Sequence, residues 1–134
     1  MKTLTVVSPV FQEELLVKSF YRELKNTLDK LASYDCKMLL VVDRGTDSTM
    51  DILRNIARTD DKLQVLYLSS RFGHQASLLA GIDSSFSDVV ISMDSDLQHP
   101  PSVIPSLLAE YEKGFDVVNT VRESTEDIRL WKKF

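Results

Sequence analysis

The sequence predicts an α/β fold: a mainly parallel sheet with helices on both faces, arranged as a three-layer sandwich. Two observations carry that expectation. Short apolar, β-branched runs alternate with longer stretches of helical periodicity along the chain, the pattern of βαβ units joined by right-handed crossovers. The length of 134 residues also suits one domain, enough chain to bury a real core.

Each element has its own signal. Thr3 to Val7 is β-branched and apolar and stops at Pro9, a first strand. From Gln12 to Leu31 the residues Leu16, Val17, Phe20, Tyr21, Leu24, Leu28 and Leu31 recur at helical spacing. That spacing predicts a helix over the whole span, with Glu13 and Glu14 in its first turn. Lys37 to Val42 reads as a second strand. Asp47 or Ser48 then caps a helix reaching Arg58, with Met50, Leu53, Ile56 and Ala57 inward. Leu63 to Leu68 is a third strand, and Gly73 opens a small-residue helix towards Phe86. Ser87 to Met93 is a fourth strand. A helix follows Pro100 and Pro101, carrying Val103, Ile104, Leu107, Leu108 and Tyr111. Proline fits a first helical turn, but Pro105 requires a late start or a short opening turn. Gly114 ends that helix, and Phe115 to Val118 reads as a fifth strand.

Composition narrows the function classes. A hydrophobic fraction of 43% with 27% charged residues is that of a soluble globular protein. A net charge of -4 excludes broad nucleic-acid binding, which needs a basic surface. The single cysteine, Cys36, has no partner for an internal disulfide and points to a reducing compartment, with a packing role beside the second strand. No apolar run approaches a membrane span, and the amino end is too short in apolar length for a signal peptide.

In open parallel sheets, ligands bind beyond the carboxyl ends of the strands. The polar residues of interest fall there: Pro9 to Glu14, Asp43, Ser69 to His74, Asp94 to His99, and Asn119 to Arg122. The most informative stretch is Asp94-Ser95-Asp96-Leu97-Gln98-His99-Pro100-Pro101. Two carboxylates at a strand exit suit a divalent cation held against phosphate, since Mg²⁺ and Mn²⁺ take one or two carboxylates and complete the shell with water and phosphate oxygens. Capping of the next helix is the competing role, and the intervening prolines count against it. At Asp43 a turn role and a contact to a base N–H are equally open. One of Glu13 and Glu14 reads as a surface carboxylate favoured by the helix dipole. Ser70 to Gln75 suits an anion at a helix N-terminus, although neither a Gly-x-Gly-x-x-Gly nor a Walker pattern is present. His74 and His99 read as polar loop residues, Phe72 as core or a loop anchor, and Arg122 as a cation able to meet diphosphate. The segment from Glu123 to Phe134 mixes charges with Ile128, Leu130, Trp131 and Phe134 and reads as amphipathic.

With those residues placed, the chain resembles a family 2 glycosyltransferase of the GT-A fold, a Rossmann-like three-layer sandwich that binds nucleotide-diphospho-sugars. More narrowly it is similar to the polyprenyl-phosphate and dolichyl-phosphate sugar synthases. Pro9-Val10-Phe11-Gln12-Glu13-Glu14, Arg71-Phe72-Gly73-His74-Gln75, Leu79-Ala80-Gly81-Ile82-Asp83, Asp94 to Pro101, and Gly114 to Val118 with Arg122 match family elements in order. The resemblance implies a nucleotide-sugar donor, UDP-linked, a lipid-phosphate acceptor, and Mg²⁺ or Mn²⁺. It implies that Pro9, Phe11, Glu13, Val41 and Asp43 line the base and ribose. Asp94, Ser95 and Asp96 would meet ribose and diphosphate, Asp96 and Gln98 the metal, and Arg122 the phosphate. Asp94, Asp96 and Arg122 are the residues expected to carry catalysis.

Two departures accompany the match. The family's Asp-Asp-Gly-Ser stands here as Val42-Asp43-Arg44-Gly45, and Gln12 replaces an Asn. The resemblance also implies further chain after Arg122: an acceptor-side part, more basic phosphate-binding residues and, in many members, membrane helices. Residues 1 to 134 are therefore expected to be one nucleotide-sugar-binding domain, a donor half, belonging to a protein that works at the cytoplasmic face of a membrane. A homo-oligomer is compatible with these features. A nucleotide-binding module completed by a partner is the second function class. A Mg²⁺-dependent phosphotransferase is the third, but its Asp-x-Asp follows the first strand with Thr or Val two residues on. Here the motif follows the fourth strand, and Gln98 holds that place.

Overall fold

Strand and helix alternate through residue 100 as the sequence predicts: β1 (Lys2–Val10), α1 (Val17–Asp29), β2 (Tyr34–Val42), α2 (Thr49–Ala57), β3 (Leu63–Tyr67), α3 (His74–Asp83) and β4 (Val89–Ser92). The computed structural model describes residues 1–122 and 128–130, with side chains as far as residue 119. The chain divides into two units, Met1–Pro100 and Pro101–Phe134.

In the first unit the four strands form one parallel sheet in the order β3-β2-β1-β4. β1 lies in register with β2 from Lys2 opposite Tyr34 to Val10 opposite Val42. On its other side, Leu4 to Val7 face Val89 to Ser92. Successive strands β1, β2 and β3 step one way across the sheet, and the chain then returns across β2 and β1 to reach β4. Right-handed crossovers place α1 and α2 on one face and α3 on the other. Cover on both faces explains why β1 and β2 are apolar without alternation: Leu4, Val6, Val7, Leu40 and Val41 are all fully buried.

α1 buries Val17, Phe20, Leu24 and Leu28, one stripe at three- and four-residue spacing. α3 packs differently. Leu78 joins Leu66 and Leu68 on a cluster of Val7, Leu39 and Val41, and Gly81 brings the helix backbone onto the sheet. A Cβ at Gly81 would stand 2.4 Å from Val7 Cγ1 and 2.8 Å from Val41 Cγ2. α3 leaves Leu79 and Ile82 exposed, and Phe86 (95% exposed) after it and Val90 of β4 are exposed as well.

Asp60, buried in the turn before β3, ties α1 to the sheet. Its carboxylate accepts the Tyr21 hydroxyl and the Lys62 N–H and pairs with Lys25 at 3.2 Å. Burial alone would raise its pKa, but these donors outweigh burial and hold it below the ordinary aspartate value of 3.8.

The second unit begins with a 3₁₀ turn, Pro101–Val103, and continues as α4 (Ile104–Glu112) with Pro105 in its first turn. Gly114, at φ +102°, follows its end. β5 (Thr120–Arg122) and β6 (Ile128–Leu130) pair antiparallel.

Four expectations are corrected. The first helix starts at Val17, not Gln12, so Glu13 and Glu14 lie in a loop whose Gln12 has φ +48°. Phe115 to Val118 is irregular, and the fifth strand comes after it, in a separate hairpin instead of the parallel sheet. The first strand runs through Pro9 to Val10 instead of stopping there, and Phe72, 57% exposed, keeps only the loop-anchor role of its two. The amphipathic reading of Glu123 to Phe134 falls outside the described residues except for the backbone of β6.

Two stability measurements follow. Gly81→Ala should cost about 1–3 kcal/mol in urea unfolding, the range for overpacking a core contact. Tyr21→Phe should cost about 1.5–3 kcal/mol at pH 7, one hydrogen bond to a charged group. Because the Asp60 pKa is lowered on folding, its stabilisation is present above 3.8 and is lost as pH falls below that value. The Tyr21→Phe deficit should therefore shrink in unfolding curves at pH 3.

Candidate nucleotide-binding site

A cavity of about 190 Å³ opens at the carboxyl edge of the sheet. Pro9, Val10, Phe11 and Glu13 line it from the end of β1, Asp43 from β2, His74 and Ser77 from the start of α3, and Asp94, Ser95 and Asp96 from the end of β4. β1 and β4 are the neighbours between which strand order reverses, the position where open α/β sheets bind ligands.

Local bonds shape this rim. The backbone reverses at Gln12, and Gln12 Oε1 accepts both the N–H and the hydroxyl of Thr46 at 2.9 Å. Gly45 permits that approach, since a Cβ there would lie 2.9 Å from Gln12 Cγ. Glu13 N–H donates to Thr49 Oγ1, and the Glu14 carboxylate accepts the Ser48 N–H. Glu14 thus serves the start of α2, while Glu13 turns to the cavity. Across the gap, buried Ser95 donates from Oγ to Pro9 O at 3.2 Å, joining the exits of β4 and β1. Asp96 Oδ1 accepts the Gln98 N–H at 3.1 Å in a turn whose Leu97 has φ +64°. His74 Nε2 lies 2.9 Å from Asp94 Oδ1.

Asp43 differs from the other carboxylates. It is 3% exposed, and it accepts three backbone N–H groups: Arg44 at 3.1 Å and Phe72 on Oδ1, and Gly73 on Oδ2, the last two at 2.8 Å. Gly73 sits at φ +94°, which favours glycine. These bonds give Asp43 a turn role that reaches a second loop 29 residues away, and the residue also lines the cavity.

Glu13 has a raised pKa, first because it is partly buried and then because Asp96 and Asp47 repel its charge. A divalent cation would relieve that crowding, so the residues present fit one. Asp96 keeps Oδ2 for it, and Gln98 is linked to Asp96 through its own N–H. Among the described residues no group of three or more His, Cys, Asp or Glu is arranged to hold a metal. The shell would be completed by water and phosphate oxygens, as Mg²⁺ and Mn²⁺ accept.

The structure brings together Pro9, Phe11, Glu13, Asp43, Asp94, Ser95 and Asp96. Val41 does not join them; its side chain is fully buried beneath Gly81. Gln98 is exposed and is not part of the lining. Arg122 closes β5 in the second unit, and its side chain is not among those described. Ser77 is a lining residue that sequence reasoning passed over, and His74, expected as a polar loop residue, lines the cavity from the first turn of α3. The available signal for Ser77 was its place in the first turn of the helix after a strand.

Residues 5–133 match the sequence model of glycosyl transferase family 2. An undecaprenyl-phosphate 4-deoxy-4-formamido-L-arabinose transferase of Pseudomonas fluorescens is 37% identical over 94% of this chain and 37% of its own length. The chain thus spans about two fifths of the curated relatives it matches. A mannosyltransferase from Pyrobaculum calidifontis, solved with GDP-Man and Mn²⁺, superposes with a TM-score of 0.60 at 20% identity, over 69% of this chain and 27% of that one. Glucosyl-3-phosphoglycerate synthase from Mycobacterium tuberculosis, solved with Mn²⁺, UDP and glucosyl-3-phosphoglycerate, gives 0.62 at 23% identity, over 82% and 39%. The fold is that of the GT-A glycosyltransferases.

The Asp43 contacts can be tested directly. Asp43→Asn places an amide N–H₂ against one of the backbone donors and should cost about 2–3 kcal/mol in denaturant unfolding. The Phe72 and Gly73 amides should lose hydrogen-exchange protection before the β1 amides do.

Proposed function

The chain belongs to glycosyl transferase family 2, and we propose that it is the donor-binding part of an enzyme that transfers a sugar from a nucleotide-sugar, UDP-linked, to a polyprenyl phosphate. The observation that carries this reading is the meeting of Phe11, Glu13, Asp94, Ser95 and Asp96 in one cavity at the β1/β4 reversal. The acceptor class rests on the relative from Pseudomonas fluorescens described as acting on undecaprenyl phosphate.

In glycosyl transfer the bond from the sugar anomeric carbon to the diphosphate oxygen breaks as an acceptor oxygen attacks that carbon. Negative charge then grows on the departing nucleoside diphosphate, and its stabilisation is the main electrostatic need. A metal bound by Asp96 and Gln98 would supply Lewis-acid stabilisation of that leaving group. Phe11 and Pro9 offer apolar surface to the base, Ser95 fixes the distance between the two strand exits, and Asp94 faces ribose or sugar hydroxyls. Arg122, the last residue of β5, is assigned to phosphate by the family resemblance alone. A lipid phosphate is already ionised near neutral pH, so a strong general base is not required of the site. Among the described residues no helix is long and apolar enough to cross a membrane, and attachment to the acceptor's bilayer is assigned to parts of the protein beyond them.

Calorimetry with UDP in the presence and absence of Mn²⁺ tests the donor site. UDP should bind with Mn²⁺, and Asp96→Ala should weaken that binding about tenfold or more, as for the loss of a charge-assisted contact. The variant should keep its unfolding midpoint, because Asp96 lies outside the core. Unchanged Mn²⁺-dependent affinity in Asp96→Ala would sink the assignment. Binding without transfer to a polyprenyl phosphate would mark residues 1–134 as a donor module that needs a partner or further chain.

A further inference from the structure

His74 opens α3, and its Nε2 lies 2.9 Å from Oδ1 of Asp94, the residue 20 positions on that follows β4. Both side chains line the cavity. A carboxylate only accepts, so Nε2 carries the proton of this bond whether the ring is neutral or charged. Among the described residues the Asp94 carboxylate has no other hydrogen-bond or ion-pair partner. Oδ1 is thus engaged within the protein, and Oδ2 is left to a ligand.

The backbone that carries His74 is fixed on both sides. Before it, the N–H groups of Phe72 and Gly73 are held by the buried Asp43 carboxylate at 2.8 Å. After it, Ser77 donates both its N–H and its hydroxyl to Gly73 O, at 3.0 and 2.9 Å, and closes the first turn of α3. In the sheet β1 separates β2 from β4. The bond from His74 therefore ties a helix start anchored on β2 to the exit of β4, across the end of β1. Asp94 has no such anchorage of its own, since its side chain is 48% exposed. A carboxylate in that position exchanges rotamers unless a partner holds it, and ordering it on binding would weaken affinity.

We infer that His74 is a positioning residue for the donor: it holds Asp94 in the orientation in which Oδ2 accepts the ribose hydroxyls of the nucleotide, so that this carboxylate is ordered before the ligand arrives. Charge decides in favour of hydroxyls. An ionised carboxylate has no proton to give to diphosphate oxygens and meets them only through a metal, which is assigned to Asp96 and Gln98. The inference rests on the donor-site reading above. A nucleotide that keeps base and diphosphate but lacks the ribose hydroxyls separates the two.

The experiment is calorimetry on the chain with Mn²⁺, titrating UDP and its dideoxyribose analogue into wild type, His74→Ala and His74→Gln. His74 is 57% exposed, and circular dichroism should show both variants folded. His74→Ala should weaken UDP about three- to tenfold, the span of one net hydrogen bond, and leave the analogue unchanged. His74→Gln, which keeps an N–H at similar reach, should recover part of the loss for UDP. Equal weakening of both nucleotides would reduce His74 to a general charge or shape contribution and overturn the inference alone. No weakening of UDP, or no recovery with glutamine, would overturn it as well. Failure of the wild type to bind UDP would overturn the donor-site reading, and the inference with it.

Discussion

The handedness of the crossovers is the constraint on which the rest depends. A chain that steps from β1 to β2 to β3 with right-handed connections commits α1 and α2 to one face. When it then crosses back to place β4 beside β1, α3 must take the other face. The connections leaving β1 and β4 therefore depart in opposite directions, and a gap opens between their carboxyl ends. Phe11, Glu13, Asp94 and Asp96 are spread over 86 residues of sequence and meet only because of that reversal.

Four carboxylates at three strand ends have different fates there. Asp43 is buried and satisfied by backbone donors, so its charge organises protein. Asp94 shares its charge with His74, and Asp96 spends one oxygen on its own turn. Glu13, facing Asp96, has its pKa raised by burial and repulsion. Burial separates the structural acid from those left to a ligand, because an unpaired buried charge is far more costly than an exposed one. A site this acidic accepts an anionic diphosphate only with added positive charge, so a divalent cation belongs to the logic of the pocket.

The strands, their order in the chain and the gathering of polar residues at their carboxyl ends were legible, because apolar runs and their interruptions are local signals. What was hidden depends on contacts distant in sequence. Leu16, Val17 and Phe20 continue helical spacing back towards Gln12, yet residues 12–16 are held in a loop by Thr46 and Thr49. Asp43 could not be assigned from sequence because its partners lie 29 and 30 residues on. Val41 matches a family position but belongs to a continuous buried run in which sequence cannot say which residue meets ligand and which meets Gly81. Phe115 to Val118 has the composition of a strand, but strands need a neighbour, and the hairpin forms further along at Thr120.

The exposed apolar side chains Leu79, Ile82, Phe86 and Val90 bear on how this molecule behaves at high concentration. Val90 lies in β4, a four-residue strand at the end of the sheet order. Greasy side chains next to an edge strand are the pairing that colloidal stability tolerates least. Brevity of the strand limits the damage, since four residues offer few backbone groups to a neighbour. Polar replacements at Leu79 and Phe86, neither of which lines the pocket, are the natural handle for improving solubility while leaving the site alone.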